Sequence, residues 1–117
     1  VSTTSQLADS LLVTGFPYNL NEIIGTLMKR FAACLQASRG VRRLGSAALD
    51  LCFVACGRFD GFWEQNLKPW DTAAGLVIAQ SAGAVVTDFT NDPFSVDKQE
   101  ILATNGNIHR DMISILE

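Results

Sequence analysis

The stretch FWEQNLKPWDTAAG, residues 62–75, joins a predicted strand to a predicted helix and so indicates how the chain folds. Residues 59–64 are rich in aromatic side chains that alternate between two faces, which is typical of a β-strand. Pro69 then precedes an apolar segment, and proline is favoured at the first position of a helix, so a helix is predicted over residues 70–82. Two carboxylates, Glu64 and Asp71, lie at the end of that strand and the start of that helix.

Strand and helix alternate on both sides of this stretch. Apolar runs bounded by glycine or proline predict strands, and apolar residues at helical spacing predict helices. The predicted strands cover residues 10–16, 41–45, 84–89 and 100–105, and the predicted helices cover residues 19–40, 47–56 and 107–116. Because such helices can connect parallel strands, the predicted fold class is α/β, a layered, mostly parallel or mixed sheet with crossover helices in one domain, residues 1–117.

The apolar pattern also predicts which side of each helix faces the core. The helix over residues 47–56 is apolar except at Asp50, so we expect it to be buried almost all round. The other two inner faces are predicted to consist of Ile23, Ile24, Leu27, Met28, Phe31 and Leu35 in the long helix, and of Ala73, Ala74, Val77, Ile78 and Ala82 in the helix over residues 70–82.

Composition and charge narrow the classes of function. Apolar residues make up 48% of the chain and charged residues 18%, which is typical of a globular protein rather than a disordered one. The formal net charge of −3 and the scattered lysines and arginines provide no basic surface for nucleic acid. No apolar run approaches the ~20 residues that a membrane span needs. We therefore expect neither nucleic acid nor membrane as a partner.

The three cysteines, the single histidine and Asp50 have interpretations that need no function. Cys34, Cys52 and Cys56 form no CxxC pair, which favours a reducing, cytoplasmic compartment. Cys52 and Cys56 are four residues apart on one helix face, so they are either half of a metal site or, more commonly, buried apolar side chains. We expect His109 on the surface, and Asp50 either facing water or favouring the dipole of its helix.

Candidate site residues occur where strands lead into helices. In open α/β sheets, ligands bind beyond the carboxyl ends of the strands. Gly45, Ser46 and Ala47 follow the second strand and open a helix, whose free N–H groups favour an anion or a hydroxyl. Glu64 ends the third strand and Asp71 opens the next helix.

Each of these residues also has a purely structural interpretation. Ser46 is expected to cap its helix, since no histidine lies nearby in sequence and no GxSxG turn is present. Asp71 can be a helix cap, and Glu64 can be an exposed strand end paired with Lys68. Together, however, two carboxylates at one sheet edge suit Mg²⁺ or a polyhydroxylated ligand. Two carboxylates alone are too few for a dedicated magnesium site.

The segment KPWDTAAGLVIAQSAGAVVTDF, residues 68–89, closely resembles the C-terminal signature of the inositol monophosphatase family. LLVTGFPYN, RRLGSAALDLCFVACGRFDGFWE and ILATNGNIH resemble further segments of the same family in the same order, so the resemblance covers most of the chain. It implies an inositol monophosphatase-like fold. It also implies that Asp71 binds a catalytic Mg²⁺, that Glu64 contacts substrate hydroxyls, and that the backbone of Gly45, Ser46 and Ala47 lines the substrate.

The activity implied is Mg²⁺-dependent hydrolysis of a phosphate monoester, a small phosphorylated polyol such as inositol monophosphate, in a homodimeric enzyme. Members of the family also carry a glutamate and a D-P-x-D-G-T segment in an N-terminal half, and neither is present here. The chain is therefore expected to be the C-terminal half of a phosphatase, inactive alone because the N-terminal metal-binding half is missing.

Two alternatives stay open at this point. The chain can be a non-catalytic α/β module for binding or assembly, which the absent metal ligands favour and the retained Glu64 and Asp71 disfavour. It can also belong to a related phosphatase that acts on fructose 1,6-bisphosphate, histidinol phosphate or a nucleotide phosphate.

Overall fold

The structure is a computed structural model that describes residues 1–117. All the predicted strands and helices are present, in the predicted order, with bounds that differ by a few residues. The elements are β1 (Leu11–Thr14), α1 (Leu20–Ala37), β2 (Gly40–Arg43), α2 (Ala47–Ala55), β3 (Gly61–Gln65), α3 (Pro69–Ser81), β4 (Val85–Thr87), β5 (Glu100–Thr104) and α4 (His109–Leu116). A short 3₁₀ helix, Leu7–Asp9, precedes β1.

The five strands form one mixed sheet in the order β2-β1-β3-β5-β4. Strand β1 is parallel to both β2 and β3, whereas β5 is antiparallel to both β3 and β4. The antiparallel strand β5 follows β4 without an intervening helix, and parallel pairing requires a longer crossover connection. The predicted fold class, an α/β domain with a mixed sheet and crossover helices, is confirmed.

Helices cover both faces of the sheet. The chain moves from β1 to β2 in one direction and from β2 past β1 to β3 in the other. Because such crossovers are right-handed, α1 and α2 lie on opposite faces. Helices α2 and α3 pack together over a core that contains Leu51 and Phe62, and helices α1 and α4 pack together over a second core that contains Leu12 and Met112.

The predicted inner face of α3 is wrong. The buried residues are Thr72, Gly75 and Ala79, and the residues predicted to face the core, Ala73, Ala74, Val77, Ile78 and Ala82, are exposed. Gly75 decides the orientation because α2 packs closely against it, and a Cβ at residue 75 would lie 2.6 Å from Leu51 Cδ1. Helix α3 is apolar nearly all round, so its hydrophobic pattern does not mark an outer side.

The predictions for α1 and α2 are correct only in part. In α1, Leu27 is buried as predicted and Cys34 joins it, but Ile24, Met28 and Leu35 are exposed. In α2, the side that faces the sheet is buried, and Leu49 is exposed on the outer side. Cys56 is exposed and Cys52 is half-buried, so the expectation that both are buried is wrong.

His109 is buried, which corrects the expectation of a surface position. Its ring nitrogens lie 2.8 Å from Thr87 Oγ1 and 2.9 Å from Thr104 Oγ1, so the side chain links α4 to the ends of β4 and β5. Burial lowers the pKa of His109 to about 4. The imidazole is therefore neutral at pH 7, so one ring nitrogen donates a hydrogen bond to a threonine hydroxyl and the other accepts one.

The first residues of the chain are held at the opposite end of the sheet from the strand ends that carry the candidate site. Ser2 Oγ donates to Asp60 Oδ1 at 2.6 Å, and Asn105 Nδ2 donates to Ser2 Oγ at 3.0 Å. Gly57, which follows α2, lies against Ser2: a Cβ at residue 57 would be 3.3 Å from the Ser2 backbone nitrogen. The start of the chain is therefore fixed beside the C-terminal end of α2.

Candidate functional site

The carboxyl ends of β1, β2 and β3 meet at one edge of the sheet. Strand β1 lies between β2 and β3, and the chain leaves it first to one side and then to the other. Such a reversal of strand order opens a crevice at the carboxyl ends, which is where open α/β sheets bind ligands. In this chain Gly15, Arg43 and Glu64 lie at that edge.

A cleft of about 420 Å³ occupies this edge. All five residues that the sequence nominated, Gly45, Ser46, Ala47, Glu64 and Asp71, line it. The remaining lining residues are Gly15, Phe16, Tyr18, Arg43, Ala48, Leu67 and Trp70. The second strand's exit, the third strand's end and the start of α3 are therefore parts of a single site.

The turn from β2 into α2 presents backbone to the cleft. Gly45 has φ +95°, a conformation that glycine adopts without the strain other residues meet. Ser46 Oγ accepts from the Leu49 backbone N–H at 3.2 Å, so the predicted helix cap is confirmed. The N–H groups of Ala47 and Ala48 begin the helix and have no acceptor within it, which leaves them for a ligand or water. This helix start suits an anion or a hydroxyl oxygen.

Glu64 is buried, with 5% of its surface exposed, so the interpretation as an exposed strand end is wrong. It is not paired with Lys68, since the ion pairs of the chain join Arg30 to Glu100 and Lys98 to Asp88. Its carboxylate occupies the space beside Gly15, where a Cβ would collide with it.

The surroundings of Glu64 favour its protonated form. Burial, together with the negative charges of Asp50 and Asp71, raises the pKa of Glu64 to about 8, against the opposing effect of the Arg43 guanidinium. A carboxyl group in this state can donate a hydrogen bond as well as accept one. It is thus suited to a hydroxyl group, which does both.

Asp71 lies in the first turn of α3 and is half-buried. Its Oδ2 accepts from the Lys68 backbone N–H at 2.9 Å, so the structural role as a helix cap is real. The Tyr18 hydroxyl lies 3.3 and 3.4 Å from its two oxygens, and the charge of Asp71 raises the pKa of Tyr18. Since an ionised carboxylate has about four lone-pair positions, capping leaves Asp71 free to accept from or coordinate another group.

For Asp50, the expectation that it faces water is also wrong. It is 1% exposed rather than facing water, and neither carboxylate oxygen has a hydrogen-bond partner. Burial raises the pKa of Asp50 to about 6, while the Arg43 guanidinium lowers it. Its position one turn into α2 indicated only that the dipole would favour it; its burial depends on how α2 packs on the sheet.

The metal-ligating capacity of this site is limited to its acids. Across residues 1–117, no group of three or more histidine, cysteine, aspartate or glutamate side chains lies close enough to hold a metal ion. Mg²⁺ takes near-octahedral oxygen coordination, usually with one or two carboxylates, several waters and substrate oxygens. Asp71 fits such a set as one hard oxygen ligand, and the chain offers no complete set.

Several lining residues were not nominated from the sequence. Tyr18, Phe16 and Arg43 lie in the cleft, and the Arg43 guanidinium stacks over the Phe16 ring at 5.0 Å. Their positions at the carboxyl ends of strands could have identified them, as this position identified Glu64. Arg43 ends β2, and Phe16 follows the end of β1.

Similarity to known proteins identifies the family of this chain. The model of the inositol monophosphatase family matches residues 1–117. The chain belongs to the inositol monophosphatase family. This confirms the resemblance seen in the W-D segment and in the strand and helix segments around it.

Individual members of the family are closely similar over nearly the whole chain. An inositol-1-monophosphatase of Synechocystis is 47% identical over 99% of this chain and 40% of its own length. The Nus factor SuhB of Pseudomonas aeruginosa is 38% identical over 100% of this chain and 44% of its own. The structure of an Anabaena inositol monophosphatase superimposes with a TM-score of 0.94 at 46% identity, over 99% of this chain and 46% of that one. The chain thus spans less than half the length of these inositol monophosphatase relatives.

None of the helices combines the length and the apolar character that crossing a membrane would require.

Proposed function

We propose that this chain is the C-terminal half of a Mg²⁺-dependent phosphate monoester hydrolase whose substrate is a small phosphorylated polyol, inositol monophosphate in the first instance. One observation carries the proposal: Gly45, Ser46, Ala47, Glu64 and Asp71, which come from three separate segments, line a single cleft. The names of the inositol-1-monophosphatase relatives support the choice of reaction.

Each of these residues has a role that its surroundings support. Asp71 supplies one carboxylate ligand to Mg²⁺ while its Oδ2 holds the start of α3. Glu64 exchanges hydrogen bonds with substrate hydroxyls, because its burial favours the form that both donates and accepts. The N–H groups at the start of α2, at Ala47 and Ala48, receive a substrate oxygen. Bound magnesium would supply a polarised phosphate and a water of lowered pKa.

The remaining features of the proposal concern the whole protein. The other metal ligands come from an N-terminal half, since this chain holds no group of three ligating side chains. The complete enzyme is a homodimer. The free thiols Cys34, Cys52 and Cys56 favour a cytoplasmic location.

Activity of the full-length protein tests these roles. In Asp71→Asn, kcat/KM for inositol monophosphate should fall more than about 100-fold, because changing even an outer partner of a metal costs about 10–100-fold. Glu64→Gln should lose less, about tenfold, because it keeps the shape and one hydrogen-bonding oxygen. Asp111→Asn, an exposed acid on α4 away from the cleft, is the matched control and should keep full activity. Unchanged activity in Asp71→Asn would exclude the metal role.

The isolated chain provides a second test. Residues 1–117 should show no measurable hydrolysis of inositol monophosphate at millimolar Mg²⁺, because one or two carboxylates do not hold the ion in place. Turnover by the purified chain, abolished by Asp71→Asn, would contradict the proposed need for an N-terminal half.

A non-catalytic role is the second candidate function. Several relatives at 38–41% identity are named Nus factor SuhB rather than phosphatase, which favours a module that binds or assembles with other macromolecules. The two candidates separate in one comparison: in an assembly module, Asp71→Asn leaves complex formation and cellular function intact, whereas in a phosphatase it abolishes both turnover and the function that depends on it.

A further inference from the structure

Asp50 is a buried acid that neither packing nor capping explains. It is 1% exposed, and neither of its carboxylate oxygens has a hydrogen-bond partner. Buried polar groups are almost always paired, because an unpaired one loses its contacts with water and gains none in return. Ser46 already caps α2, and the other buried residues of this helix, Leu51, Val54 and Ala55, are apolar. A role outside the stability of α2 is therefore indicated for Asp50.

The alternation of side chains along β3 places Glu64 on the face of the sheet that α2 covers. Phe62, two residues before Glu64, packs in the same core as Leu51 of α2, whereas Trp63 packs in the core on the opposite face. Gly15, just after the neighbouring strand β1, has no side chain, and the Glu64 carboxylate fills the space beside it. The Glu64 carboxylate therefore lies between the ends of the central strands and helix α2.

Asp50 lies on the side of α2 that faces this carboxylate. Residues three or four positions apart share one side of a helix. Asp50 follows Ala47, which lines the cleft, by three residues and precedes Val54, which is buried in the core, by four. The negative charge of Asp50 also raises the pKa of Glu64, as a neighbouring like charge does. The two acids thus form a pair in which Glu64 lines the cleft and Asp50 lies behind it.

The surroundings of this pair favour a single proton, held by Glu64. Burial, opposed by Arg43, raises the pKa of Asp50 to about 6, and the dipole at the start of α2 favours its negative charge. The pKa of Glu64 is about 8, because burial and the charges of Asp50 and Asp71 outweigh Arg43. The Tyr18 hydroxyl, the remaining titratable group of the cleft, has a raised pKa and is neutral at pH 7. At pH 7 the ionised Asp50 therefore opposes loss of the Glu64 proton.

We propose that Asp50 is a positioning residue that acts through Glu64: its buried charge keeps the Glu64 carboxyl protonated, so that Glu64 offers a substrate hydroxyl both a donor and an acceptor. A hydroxyl group of a polyol also donates and accepts, whereas an ionised Glu64 could only accept. The inference rests on the proposed function, in which Glu64 contacts substrate hydroxyls. It adds that the recognition of a hydroxyl depends on a side chain that the substrate does not reach.

The titration of Glu64 in the full-length protein tests the pair directly. Protein labelled with ¹³C at the glutamate carboxyl carbon is titrated without Mg²⁺, and the Glu64 signal is identified by its loss in Glu64→Gln. In Asp50→Asn the midpoint should fall by about one pH unit, because the neighbouring like charge is gone. Asp60→Asn is the matched control and should not move it, since Asp60 is a buried acid bonded to Ser2 and Leu11 at the opposite end of the sheet.

Kinetics of the same variants show whether the pair serves the substrate. At about pH 7.5, KM of Asp50→Asn for inositol monophosphate should rise about threefold, since about a third as much of Glu64 then keeps its proton. The turnover number kcat should change little, because a hydroxyl contact away from the phosphate is made in ground state and transition state alike. The pH above which KM rises should move down with the Glu64 midpoint. A purely structural role for Asp50 would leave this pH unchanged.

Two outcomes would overturn the proposal. In the first, the Glu64 midpoint is the same in Asp50→Asn as in the wild type. In the second, the midpoint falls and the pH dependence of KM does not follow it. Asp50→Ala, which removes both the charge and the unpaired oxygens, repeats both measurements if Asp50→Asn does not fold.

The two measurements also separate this inference from the proposed function. A protein that hydrolyses inositol monophosphate while its Glu64 midpoint ignores Asp50 retains the proposed function and contradicts the role of Asp50. A protein whose Glu64 midpoint depends on Asp50 but which does not hydrolyse inositol monophosphate has the pair and lacks the proposed function.

Discussion

The two helical layers differ in what lies on their outer sides. On the outer sides of α1 and α4, charged residues such as Glu22, Lys29, Arg110 and Asp111 lie among the exposed apolar ones. Helices α2 and α3 present only uncharged, mostly apolar side chains to the outside. Both layers bury apolar side chains of their inner sides against the same sheet. The difference teaches that one sheet face is covered by helices with charged residues on their outer side, and the other by helices whose outer side carries no charge.

Truncating one inner-side residue in each layer tests whether the two cores matter equally. Leu51→Ala in the α2–α3 core and Met112→Ala in the α4 core should each lower the free energy of unfolding by about 2–5 kcal/mol, because both side chains are fully buried. Urea unfolding followed by circular dichroism measures the change. A loss confined to one variant would show that only one layer is a core, and the comparison would fail.

His109 and Glu64 should make the free energy of unfolding depend on pH with opposite signs. His109, whose folded pKa of about 4 lies below its ordinary 6.5, takes up its proton more readily when unfolded between these values. It therefore contributes stability above pH 6.5 that is lost as the pH falls towards 4, by roughly 3 kcal/mol. His109→Gln should remove this loss. The measurement is the difference between the free energies of unfolding of the variant and the wild type across this pH range.

Glu64, in the cleft, tests the same comparison with a pH dependence of the opposite sign. Its folded pKa of about 8 lies above its ordinary 4.5, so the folded state holds the proton more tightly and stability falls as the pH rises between these values. Glu64→Gln should flatten that fall. If the two variants changed the profile with the same sign, the assignment of a neutral imidazole and a protonated carboxyl would be wrong.

Two helical glycines give the smallest and cleanest contrast. Gly75→Ala should destabilise by about 1–3 kcal/mol, because its Cβ would meet Leu51 within the close α2–α3 contact. Gly25→Ala in α1 should instead stabilise by about 0.5–1 kcal/mol, because no atom lies within 4 Å of the added methyl and alanine is the better helix former. Thermal melts of both variants measure the difference, and equal shifts would mean that the two layers are packed alike.

Prediction from the sequence succeeded where a local pattern has one structural meaning. The alternation of strands and helices predicted the α/β fold, and the rule for carboxyl strand ends nominated Gly45, Ser46, Ala47, Glu64 and Asp71, which do line one cleft. Their roles towards substrate and metal stay predictions. The same rule, applied to β1 as well, would have added Phe16 and Tyr18.

Prediction failed where burial depends on distant parts of the chain. His109 was expected outside because a polar residue near a helix start is commonly exposed, yet Thr87 and Thr104 enclose it from two strands. The Glu64 carboxylate is buried against Gly15, just after the neighbouring strand β1, and nothing in its own segment indicates this.

The sequence by itself determined the order and type of the elements, the fold class and five of the residues that line the cleft, because periodicity and turn residues act over a few positions. Only the tertiary structure decided which side of α3 faces the sheet and which acidic side chains are buried. A helix marks its outer side through polar residues, and α3 has almost none, so its orientation follows from the fit of Leu51 against Gly75.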